Sequence, residues 1–127
     1  MKQSKWSLKK PLYLKKDDKR YEDQVKQLKE DGFSDAETWS LHLVIAEFIL
    51  PRLKRFREIA AAHPANMSEK EWDDMLDKMI FAYEWVLKED SMSGDYSELS
   101  SEEKDLNWKR YEEGMELFSK HFMGLWW

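Results

Sequence analysis

Three histidines, a scatter of carboxylates and one basic segment are the residues of this chain with the chemistry to build a site. His42, His63 and His121 are the candidate nitrogen ligands for a metal. In helical proteins a carboxylate-bridged metal site places a Glu three residues before its His, so that both project from one helix face. Here that offset holds Trp39, Ala60 and Phe118, and no metal site is expected. Cysteine is absent, which removes thiolate nucleophiles, disulfides and sulfur-ligated metals. No serine stands in a Gly-x-Ser-x-Gly elbow. The glycines at 32, 94, 114 and 124 are too scattered to form a phosphate-cradling loop.

Among the carboxylates, Glu47 and Glu84 have the most apolar neighbours, and Asp73, Asp74 and Asp77 form an acidic cluster. Helical spacing aligns Glu84 with Asp73, Asp77 and Lys88, and Glu47 with Lys54 and Glu58. Both rows read as solvated faces with local ion pairs. The aspartates also suit the first turns of a helix, where the dipole favours acids. His42 has the chemistry of a general base, but a lone histidine on an apolar helix reads first as a hydrogen-bonded core residue. No catalytic residue and no cofactor is expected.

The segment Pro51-Arg52-Leu53-Lys54-Arg55-Phe56-Arg57 stands out in a chain of net charge -5. If Pro51 opens a helix, free backbone N–H groups gather with Arg52, Lys54 and Arg55 at its positive end and offer an anion site. With Trp39 or His42 nearby, the ligand would be an anionic nucleotide. Otherwise these cations pair with acids of neighbouring helices and cover apolar surface with their stems.

The elements that must position these groups are helical. With 127 residues, 42% of them hydrophobic and 37% charged, the chain fits one domain with a real core. Four glycines and the high charge favour helix over sheet. Seven Trp, six Phe and five Tyr supply large buried areas. Residues 1–17 lack helical periodicity and contain Pro11, so an extended arm is expected. A first helix follows over about 18–31 with Gly32 as its stop. Phe33, Ser34 and Glu37 form a hydrophobic staple and capping box for a second helix over 35–50. Its run Leu41 to Leu50 is apolar nearly all round, the mark of a central helix that others surround. Pro51 then kinks it or opens a further helix through 61.

Ser68 and Glu71 form another capping box. Beyond it Trp72, Met75, Leu76, Met79, Ile80, Tyr83, Val86 and Leu87 recur at helical steps. After a polar loop over 91–100, Ser100 and Glu103 cap a last helix with the seam Trp108, Tyr111, Met115, Phe118, Phe122 and Leu125. The fold expected is an all-α bundle of four to five helices over 18–127, with short loops and antiparallel neighbours.

Residues 1–20 hold eight basic side chains against two acidic ones, while the rest holds 13 against 24. A basic, aromatic arm on an acidic body either lies across that body or reaches for an anionic partner. Met1 to Lys10 has no apolar region of a secretory signal. The longest apolar run is too short and too polar to span a bilayer. A cytoplasmic setting is expected, without a membrane role, and nucleic acid is not an expected partner.

Thr38-Trp39-Ser40-Leu41, Phe48-Ile49-Leu50-Pro51-Arg52-Leu53-Lys54 and Glu71-Trp72 with Leu76-Asp77-Lys78-Met79-Ile80 together resemble small uncharacterised proteins of tailed bacteriophages. Glu116-Leu117-Phe118 with Leu125-Trp126 is similar as well. The likeness covers about residues 33–87 and 110–127, and departs at His42, where the family pattern has an acidic residue. It implies a viral origin and a life in the host cytoplasm, and brings no catalytic residues.

These readings converge on a non-enzymatic helical interaction protein whose partner is a protein, such as a host or defence factor. Sequestration of an anionic nucleotide through Pro51–Arg57 is the alternative, and a virion or assembly component a lesser one. The sequence leaves self-association open.

Overall fold

Two serine caps and one glycine stop set three of the helix boundaries. Ser68 Oγ accepts from the backbone N–H of Glu71, and Ser100 Oγ from that of Glu103, both at 3.1 Å. Each satisfies an N-terminal donor that the helix itself leaves open. Gly32 takes φ 84°, a left-handed conformation that favours glycine, and donates its N–H to Leu28 O. The computed structural model describes residue 11, residues 14–90 (of 89 and 90 the backbone alone) and residues 99–126. Most of the expected arm therefore lies outside the described residues, as does most of the polar loop over 91–100.

The described elements are α1 (Tyr21–Asp31), a 3-10 turn (Asp35–Thr38), α2 (Leu41–Ile59), α3 (Glu69–Asp90), α4 (Ser101–Lys120) and a final 3-10 turn (Phe122–Gly124). The fold is all-α, with no strand among the described residues. Contacts group the chain into two units, Met1–Val44 and Ile45–Trp127.

In the N-terminal unit, two glutamines of α1 tie down the following turn. Gln24 Oε1 accepts from Ala36 N at 2.9 Å, and Gln27 grips Asp35 through its amide oxygen at 2.7 Å and its amide nitrogen at 2.9 Å. Glu37 is buried and accepts from Ser34 N at 2.8 Å. This capping box therefore serves a single 3-10 turn, and the helix expected from 35 starts instead at Leu41. Arg20 pairs with Asp18, holding its carboxyl down to about 2.

In the C-terminal unit α3 is the flanked helix. Trp72, Leu76, Met79, Ile80 and Tyr83 join Ala46 and Leu53 of α2 in one core cluster, with Met115, Phe118 and Leu125 packed against it. Burial pushes the Tyr83 phenol up to about 12. Towards α2, Asp77 takes a two-pronged contact from Arg57, and Glu84 lies 3.6 Å from Lys54. The pairing of 57 with 77 and 54 with 84 runs the two helices antiparallel. The acidic row of α3 expected to face solvent is thus the row that meets the cations of α2.

Towards α4 the approach is closer. A Cβ added at Gly114 would strike the Lys78 carbonyl oxygen and come within 2.7 Å of the Ala82 Cβ. Lys78 Nζ reaches Glu113 at 2.7 Å. Tyr83 meets Phe118 edge to face with ring centroids 5.2 Å apart, while Trp85, Trp108 and Tyr111 cluster at 5.0–5.5 Å.

Three further expectations are revised. The helix to be surrounded is not α2, of which only Ala46 and Leu53 are buried. Of its apolar side chains, Leu41, Ile45 and Ile59 are exposed. Of the two readings of Pro51, the new helix start is excluded, because the proline sits inside α2. Proline's ring and missing N–H disturb the preceding turn, and Arg52 Nη1 donates to the Phe48 carbonyl there at 2.8 Å. Phe122, placed on the inward seam by its spacing, is 56% exposed. The α-helical period stops at Lys120, and the tighter 3-10 turn carries Phe122 off the seam.

Phe118→Ala should therefore cost about 3 kcal/mol in chemical denaturation and Phe122→Ala less than about 1 kcal/mol. Equal losses for the two variants would contradict this division of the seam.

Candidate functional site

The three cations expected to bind an anion all lie in α2. Pro51 is the eleventh residue of that helix, so the residues after it donate within a continuing helix and not from a free end. The helix-end cradle that motivated the nucleotide reading is not formed. Lys54 turns to Glu84 of α3, and Arg55 pairs with Glu58 one turn on at 2.9 Å. Arg57, outside the predicted set, makes the two-pronged contact with Asp77. That hydrogen bond, helped by the charges of Asp73 and Asp74, raises its pKa further.

Arg52 stays on the outer side, with its guanidinium 4.0 Å from the centroid of the Phe48 ring. Trp39 and His42 belong to the N-terminal unit. Trp39 stacks under Arg20 at 4.9 Å, and His42 is exposed in the first turn of α2. Of the predicted residues, then, the fold brings Arg52 and Arg55 onto one stripe and turns Lys54 away from it.

The remaining histidines of the C-terminal unit have local contacts. His63 Nδ1 lies 3.0 Å from the Pro64 carbonyl, and His121 meets the Trp72 ring edge to face. Among the described residues no group of three or more histidines and carboxylates is placed to hold a metal.

What the fold does assemble is apolar surface. Ile45, Phe48, Arg52, Arg55 and Ile59 follow at steps of three and four along α2, one stripe of the helix. Ile45 and Ile59 are 43% and 39% exposed, and Phe48 is half-buried. At the chain's other end Leu125 docks into the core, leaving Phe122, Met123 and Trp126 exposed. Sequence reasoning missed both surfaces. The all-round apolarity of α2 was read as burial, and it was also the signal that could have found its uncovered face.

Because the contacts described for both α2 arginines of the stripe are local and exposed, replacing them together by Gln should leave stability within about 0.5 kcal/mol of the parent. Arg57→Gln should cost more, up to about 1 kcal/mol, its contact with Asp77 being only partly shielded from water. Thermal melts that rank the variants the other way would overturn this assignment. Comparison with family models, curated proteins and solved structures finds no match for this chain.

Proposed function

We propose that this chain is a non-enzymatic interaction protein whose ligand is another protein. The observation that carries the reading is the outer face of α2. A helix apolar over most of its circumference presents Ile45 and Ile59 to solvent while α3 covers only its other side. With half-buried Phe48 they flank the exposed Arg52 and Arg55 on one stripe of the helix, and this mixed apolar and cationic face is what supports a protein ligand. The nucleotide alternative loses the helix end on which it depended.

The likeness to tailed-phage proteins supplies a setting, in which the partner is a host or defence factor met inside the infected bacterium. No described helix is long and apolar enough to cross a membrane.

The reading is tested by capture from bacterial lysate under chemical cross-linking, comparing the parent with Ile45→Ser/Ile59→Ser. A discrete protein held by the parent and lost from a variant that keeps its helical circular dichroism is the expected result. Capture of nothing above a control protein, or equal capture by both forms, would contradict it.

A further inference from the structure

The centre of the α2 stripe differs from its ends, and that difference says what kind of protein fits it. Ile59 lies 14 residues beyond Ile45, which at 1.5 Å per residue separates the two apolar ends by about 21 Å. Between them stand Arg52 and Arg55, both exposed. Arg52 is held in place by the Phe48 ring and by one hydrogen bond to the Phe48 carbonyl. A guanidinium carries five N–H donors, and a stacked one loses little freedom when it takes a carboxylate on its fork. Arg55 has an i, i+3 contact with Glu58 in which both side chains are more than 60% exposed. Such pairs exchange partners at little cost.

From this arrangement, which rests on the protein-binding reading, we infer that the occupant of the α2 stripe is an acidic amphipathic helix of a partner protein. Its apolar residues would cover Ile45 and Ile59, and its central carboxylates would meet Arg52 and Arg55. The mode is that of an amphipathic helix laid along an apolar face with charge setting the register. A second copy of the chain fits poorly. Two α2 helices packed antiparallel about a twofold through the middle of the stripe set Arg52 against its own counterpart, and like charges face to face are unfavourable. Nucleic acid fits poorly too, since the ends of the stripe are apolar and residues 21–127 carry 24 acidic against 13 basic side chains.

The test uses the full chain and two fluorescently labelled synthetic helices of one apolar pattern, one with Glu at its central polar positions and one with Lys. Anisotropy should show the Glu peptide binding at least tenfold more tightly than the Lys peptide. Added salt should weaken the Glu peptide. Arg52→Glu/Arg55→Glu should reduce its affinity by at least tenfold, whereas Phe122→Ser/Trp126→Ser should leave it unchanged. Failure of the Glu peptide to bind, equal binding of the two peptides, or loss through the Phe122/Trp126 variant would overturn the inference. So would flotation with phosphatidylglycerol vesicles that depends on Arg52 and Arg55, because the occupant would then be a lipid surface. A lysate partner retained in full by the charge-reversed chain would overturn this site while leaving the protein-binding reading in place.

Discussion

The contact between Gly114 and the backbone of α3 is the constraint on which the C-terminal unit depends. Gly114 faces the Lys78 carbonyl and the Ala82 methyl with no room for a side chain. Two helices this close must present small residues at the crossing, and what they gain is dense packing on either side of it. Tyr83 then reaches Phe118, and Trp85 reaches Trp108 and Tyr111. Lys78 and Glu113, one residue from the glycine, close the pair at its rim. In an isolated helix a central glycine lowers stability. Here the loss in local propensity is set against contacts that a wider spacing would forfeit.

With α4 so close on one side, α3 is left with a second apolar face and an acidic row beside it. That combination determines how α2 sits. Ala46 and Leu53 enter the core, Arg57 and Lys54 take Asp77 and Glu84, and these contacts fix both the rotation and the direction of the helix. Ile45, Phe48 and Ile59 must then fall on the other side. The exposed stripe is thus a consequence of how α2 is held. Arg52 is part of the same logic. It braces the turn before Pro51 through the Phe48 carbonyl and in doing so displays a positioned cation.

How much of this could be read from the sequence differs from element to element. The starts of α3 and α4 were legible, because Ser68 and Ser100 cap through local hydrogen bonds that neighbouring residues alone specify. The core face of α3 was legible for the same reason, since its apolar period runs unbroken from Trp72 to Tyr83. The place of α2 was not. Apolarity all round a helix reports that several faces want covering, and it does not report whether this chain or another supplies the cover. For Pro51 the sequence left two readings open, because proline's preference for a helix start is a matter of frequency, and only the interior one agrees with α2. The early start at residue 35 failed because Gln24 and Gln27, far from the box in sequence, fasten the turn to α1. Of the candidate cations, Arg52 and Arg55 fall on one stripe of α2 and Lys54 turns to Glu84. The reason offered for them, a free helix end, was the part that three-dimensional structure replaced.

The most direct measurement is the stability of Gly114→Ala by chemical denaturation. On propensity alone the change should add up to about 1 kcal/mol, since alanine is the better helix former. With the added methyl driven onto Lys78 and Ala82, the account instead predicts a net loss of about 1–3 kcal/mol. A variant as stable as the parent, or more stable, would contradict the close approach of α3 and α4 and the placement of α2 that follows from it.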